Sequence, residues 1–155
     1  METDCIKTAT SLFQSVSLML PSDFSGAGVV FYYDLCDLPF VSLGAGLPAR
    51  PQLPVSGIGR IAPILAQISS LSSSFHDGFH FIELKHKKLT HLAQFVSPPI
   101  PNLSELPELK ASGARHMTAL LSSRVRGIVG VGILSSAGEV YYYESGMCRT
   151  RGIDQ

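Results

Sequence analysis

The chain has 155 residues, with 12 Lys plus Arg against 12 Asp plus Glu and a charged fraction of only 15% beside 45% hydrophobic residues. That length suits one domain with its own core. Zero net charge excludes a general nucleic-acid binder, which needs a basic surface. So few charges over so much apolar sequence leave surface for partners to hide, and self-association is the expectation.

The N-terminus, Met1-Glu2-Thr3-Asp4, has no basic stretch and does not read as a secretory signal. Residues 4–20 predict a helix, because Ile6, Ala9, Leu12, Phe13, Val16 and Leu20 recur at near-helical spacing. Thr3 or Asp4 can cap it and Pro21 close it; with Lys7 as its only basic residue it faces a core rather than a membrane. Residues 22–28 are turn-like. The β-branched and aromatic run 29–33 predicts a strand, and residues 38–43 are a candidate to pair with it across Asp34-Leu35-Cys36-Asp37. Gly and Pro collect over 44–56, a surface loop; neither Gly44-Ala45-Gly46 nor Gly57-Ile58-Gly59 has dinucleotide or P-loop spacing.

Residues 58–71 predict a second helix, with Ile61, Ile64, Leu65 and Ile68 on one face and Pro63 in the first turn, where a missing amide costs little. The polar run 69–74 leads to His76-Asp77-Gly78, where Asp77 is either a free carboxylate at a helix-to-strand connection or a plain turn residue. Residues 79–84 alternate as a strand, and Lys85-His86-Lys87-Lys88 turns into another over 89–96, its charges read as a solvated hairpin tip with phosphate binding as the lesser alternative. A proline-rich connection over 98–107, a lid or pocket edge, precedes Ser112-Gly113-Ala114-Arg115-His116. These residues open a helix that buries Met117, Leu120, Leu121 and Val125 and stops at Gly127. Residues 128–134 are apolar throughout, as in a strand covered on both faces. Ser135-Ser136-Ala137-Gly138 then turns into a strand over 139–144, and the tail 147–155 is expected to fray. Helices interspersed with strands give an α/β fold, a single globular domain over 1–155 with a central mixed β-sheet flanked by helices.

The helix opening at Gly113 carries the chemistry. First-turn amides have no partner within their own helix and the dipole adds positive charge, so with Gly113, Arg115 and His116 the start suits an anion, above all phosphate. The alternative is an ordinary Ser112 N-cap with Arg115 and His116 in solvent. Cys5, Cys36 and Cys148 are odd in number and far apart, which supports neither a disulfide framework nor a zinc site and fits a reducing cytoplasm. No apolar run approaches a membrane span.

His76-Asp77-Gly78-Phe79, followed by Gly113-Ala114-Arg115-His116, resembles the diadenylate cyclase domain family of bacteria and archaea. That family carries Asp-Gly-Ala, usually after His, and later Gly-Thr-Arg-His-Arg. Residues 92–98 look like its strand running into a Leu-Pro turn, and 128–140 like its apolar strand, serine-containing turn and next strand; the best-matching core is 58–145. The resemblance implies two ATP molecules joined into cyclic di-AMP with release of pyrophosphate, at face-to-face sites of a homo-oligomer in the cytoplasm, with Mg²⁺ or Mn²⁺. Asp77 would bind the metal and assist the 3′-hydroxyl. Arg115 and His116 complete the catalytic set, and Gly78, Phe79, Gly113, Ala114 and Ser135 would line the nucleotide. Four positions depart from the pattern. Ala114 stands for a Thr, Met117 for the second Arg, Phe79 for a small Ala, and Ser136 for an acid, Glu139 being the nearest carboxylate. These departures keep a second possibility in view, a catalytically degenerate nucleotide-binding sensor or interaction module of the same fold. A Ser/His hydrolase has no nucleophile elbow to support it.

Overall fold

The strand at the centre of the sheet, β1 (Ala27–Tyr32), is buried at all six positions, as its apolar sequence requires of a strand covered on both faces and flanked on both edges. In this computed structural model, residues 2–43, 51–102, 104, 111 and 113–151 are described. The remaining elements are α1 (Glu2–Ser17), β2 (Phe40–Ser42), β3 (Val55–Ser56), α2 (Ile58–Ile68), β4 (Phe79–Glu83), β5 (Lys88–Val96), α3 (Ala114–Ser122), β6 (Ile128–Leu134), β7 (Val140–Glu144) and β8 (Met147–Arg151). The strands form one sheet in the order β2-β5-β4-β1-β6-β7-β8, with β3 paired to β5. β1 and β4 run parallel and the other pairs antiparallel, so the sheet is mixed.

Two apolar layers hold the helices to it. Cys5, Ala9, Leu12, Phe13 and Val16 of α1 and Ile61, Leu65 and Ile68 of α2 pack with Val29, Phe31 and Ile82 on one face. Ala119 and Leu120 of α3 pack with Val30, Phe81, Val131 and Ile133 on the other. Each buried large side chain contributes about 1.5–3 kcal/mol through removal of apolar surface from water.

Several expectations are corrected. Residues 38–43 do not pair with β1: their strand, β2, lies on β5, with Val41 opposite Phe95. A fully buried β1 instead takes β4 and β6 as neighbours. Asp34 Oδ1 accepts the Cys36 amide at 2.6 Å, a local turn, and the Tyr33 amide donates to the Gly127 carbonyl at 2.8 Å, which turns the chain away from a hairpin. The first helix ends at Ser17, and Leu18 beyond it is 88% exposed. Because α2 starts at Ile58, Pro63 lies in its second turn and leaves the Gly59 carbonyl without the usual amide. Part of the expected loop, Val55–Ser56, is strand. The tail does not fray at once: Ser145 (φ 52°) and Gly146 (φ 75°) make a tight turn into β8, a two-residue connection whose twist suits a hairpin. Residues 44–50, most of the 103–110 segment, Ser112 and residues 152–155 lie outside the described residues.

Candidate functional site

The entry to β4 is built around a glycine. Gly78 has φ +80°, and a Cβ there would stand 2.6 Å from the Gln94 carbonyl oxygen of β5, so the turn can press onto that strand only without a side chain. This leaves Asp77 at the surface, its side chain 71% exposed, with His76 Nε2 3.7 Å from its Oδ2. The His76 ring is itself held by Nδ1, 2.7 Å from the Ser73 carbonyl. In the parallel β1–β4 pair Gly28 faces Phe79, so Asp77, just ahead of β4, sits at the end of the sheet where β1 also begins.

The start of α3 reaches the same end. Gly113 is its N-cap, with φ 86° and no side-chain cap, so the first-turn amides are left to solvent or a ligand. Arg115 Nη1 donates to the Ser25 carbonyl at 3.3 Å. A Cβ on Gly26 would meet that nitrogen at 2.5 Å, the Leu134 carbonyl oxygen at 3.2 Å and the Ser136 amide nitrogen at 3.6 Å. The guanidinium therefore lies where β1 begins, β6 ends and the Ser135 turn starts. Its charge is also felt in the sheet. Burial, and after it Arg115, push the enclosed His80 imidazole down to about 4.

His116 is held from the β7 side. Its Nδ1 is 2.7 Å from the Tyr143 hydroxyl, and its ring stands edge-on to Tyr141 with centroids 4.6 Å apart. Burial, then the Arg115 charge, lower its pKa, so the ring is neutral at pH 7. With Tyr143 donating to Nδ1, the arrangement that the greater acidity of a phenol favours, the ring proton sits on Nε2.

Asp77, Gly78, Gly113, Arg115 and Ser135 are thus brought to one end of the sheet from three parts of the chain. Ala114 is exposed in the first turn of α3. Phe79 goes elsewhere: it is 5% exposed and packs over Gly28, where a Cβ would come within 2.6 Å of its ring, so its bulk fills the core. Met117 likewise packs against the core beneath α3. The Ser135 hydroxyl accepts the Glu139 amide at 3.0 Å and closes its own turn. Glu139 is bonded by the Tyr141 hydroxyl. Nothing in the sequence singled out Ser25 and Gly26, which read only as turn, or Tyr143, which read as one of an alternating aromatic run.

For a divalent metal the donor set is small. Among the described residues no group of three His, Cys, Asp or Glu side chains converges. One exposed carboxylate, Asp77, fits a hard cation that arrives on a polyphosphate and takes most of its oxygens from it, the usual habit of Mg²⁺.

Comparison with known proteins separates fold from sequence. No family model and no curated protein sequence matches the chain. Among solved structures, a double mutant of DacA from Staphylococcus aureus shares the fold with a TM-score of 0.59 and 21% identity, over 98% of this chain and 90% of that one. A hypothetical membrane spanning protein from Bacillus cereus is similar with a TM-score of 0.57 and 20% identity over 95% of this chain. The chain spans 63% of the length of the Bacillus protein. The fold class expected from the sequence, a mixed sheet flanked by helices, is the fold of DacA.

Proposed function

We propose that the chain is a diadenylate cyclase-like nucleotidyltransferase that condenses two ATP molecules into cyclic di-AMP and releases pyrophosphate. The observation that supports this most is that an exposed carboxylate, Asp77, the Arg115 guanidinium and the uncapped start of α3 lie at the same end of the sheet. In each half-reaction a 3′-oxygen bonds to the other nucleotide's α-phosphorus, the bond to pyrophosphate breaks, and the hydroxyl proton leaves. Asp77 takes up that proton or orients the hydroxyl. Arg115 has five N–H donors, of which Ser25 takes one, and the others face the phosphates. Neutral His116 offers Nε2–H to a phosphate oxygen without adding a charge. Mg²⁺ or Mn²⁺, held by Asp77 and the nucleotide, offsets phosphate charge when bound. One nucleotide per site and two per product call for a homo-oligomer with facing sites. The reaction is assigned to the cytoplasm, and among the described residues no helix is long and apolar enough to cross a membrane.

Ala114 and Met117 favour a second reading, a sensor that binds nucleotide without turning it over, because each removes a phosphate-directed donor at a cost of about 1–3 kcal/mol. Incubation with ATP and Mn²⁺ or Mg²⁺, followed by chromatography, decides between them. Cyclic di-AMP that disappears with Asp77→Asn is the expected result. Nucleotide binding without product, across metals and concentrations, would overturn turnover and leave the sensor.

A further inference from the structure

At the opposite end of the sheet, where β1 and β4 finish, lies a cavity of about 600 Å³. Asp4, Lys7 and Thr8 of α1, Tyr33 after β1, and Leu84, Lys85 and Lys87 of the β4–β5 hairpin line it. Three of the chain's 12 basic residues, drawn from opposite halves of the sequence, meet there against one carboxylate. The described residues give none of them an ion-pair partner: the pairs present are His76–Asp77, His86–Glu83, Arg126–Asp37 and Arg149–Glu144. Glu83, the nearest acid on the hairpin, is turned to His86, whose amide and Nδ1 it meets at 3.1 and 3.0 Å.

The tip is also fixed in shape. Lys87 holds φ 52°, a region a non-glycine residue enters at a cost, and its carbonyl accepts the Gly57 amide at 3.0 Å. The tip is solvated, as its sequence suggests, and its backbone is held in one shape. Three ammonium groups against one carboxylate leave the concavity with an excess of positive charge that favours any multivalent anion that enters. A volume of about 600 Å³ lies within the usual range for small-molecule sites, and the half-exposed Tyr33 ring supplies an apolar wall.

We propose that this cavity binds a small soluble polyphosphate, of the kind carried by a nucleoside di- or triphosphate, independently of the Asp77–Arg115 end. The probe is inorganic tripolyphosphate, titrated at low ionic strength by calorimetry and by amide shift mapping. Shifts at residues 7, 33, 85 and 87 are expected. Affinity should fall about tenfold or more in a Lys7→Gln/Lys85→Gln/Lys87→Gln variant and with added salt, since exposed charges are screened. Arg115→Gln should leave this binding intact, which keeps the outcome separate from the fate of the proposed reaction. Shifts confined to residues 113–116, no shifts at millimolar probe, or a triple variant that binds like the parent would overturn the proposal. A lipid phosphate is the other source of the same chemistry. Sedimentation with phosphatidylglycerol vesicles, lost in the triple variant while tripolyphosphate does not bind, would overturn the soluble ligand in favour of a headgroup.

Discussion

Arg115 does two things with one side chain: it ties α3 to the Ser25 carbonyl and presents its remaining donors at the sheet end. Arg115→Lys keeps the charge but loses the planar fork, so nucleotide affinity is expected to fall about tenfold or more, measured by calorimetry, while the unfolding midpoint moves little. Tyr143→Phe removes the donor to His116 Nδ1 and frees the ring to exchange tautomers. Nitrogen shifts of the imidazole should show Nε2–H in the parent and a mixture in the variant. His80 is a different kind of histidine. It is 1% exposed and accepts the Ala93 amide at 3.0 Å, at the point where Ala93 (φ 51°) carries an irregularity in the β4–β5 register. With its folded pKa near 4 against 6.5 unfolded, the unfolded chain binds the extra proton between those values. Stability is therefore full above about pH 6.5 and falls as pH drops toward 4, by up to about 3 kcal/mol from this group. Denaturant unfolding at pH 7.5 and pH 4.5 measures it, and His80→Phe should flatten the difference. His91 and His116, also lowered by burial, add to the slope in the same sense.

The Asp77-Gly78 turn succeeds or fails with the glycine. Gly78→Ala would place a methyl 2.6 Å from the Gln94 carbonyl in a left-handed conformation, so about 1–3 kcal/mol of stability should be lost, read as a lower denaturation midpoint. The helices were legible because their apolar residues keep a 3.6-residue period: Leu12, Phe13, Val16, Ile61 and Leu65 were expected in the core and are there. So was β6, whose unbroken apolar run can only be a covered strand. Pairing was less legible. A strand's pattern says which faces it buries and not which edge it meets, so residues 38–43 looked like the partner of β1 when β5 takes them. The β7–β8 hairpin was missed because Ser145 adopts a positive φ that its side chain does not advertise.

The parallel β1–β4 pair joins strands about fifty residues apart, and α3 returns to it from beyond the proline-rich segment; no local period encodes either step. The family resemblance suggested Asp77 and Arg115 as partners, and the topology puts them at one sheet end. The same topology sends Phe79 into the core, so its bulk beside the glycine need not fall on the base, and it gathers Lys7, Lys85 and Lys87 at the far end. The likeness to DacA is one of fold, so the proposed reaction and the proposed polyphosphate site rest on the side chains at these two ends. Titration of the protein with Mn²⁺–ATP, followed by paramagnetic broadening of backbone amides, tests this most directly. Broadening of residues 77–78 and 113–116 together, relieved by Asp77→Asn, is the predicted result. Broadening at one of these segments without the other, or at neither, would contradict a shared triphosphate.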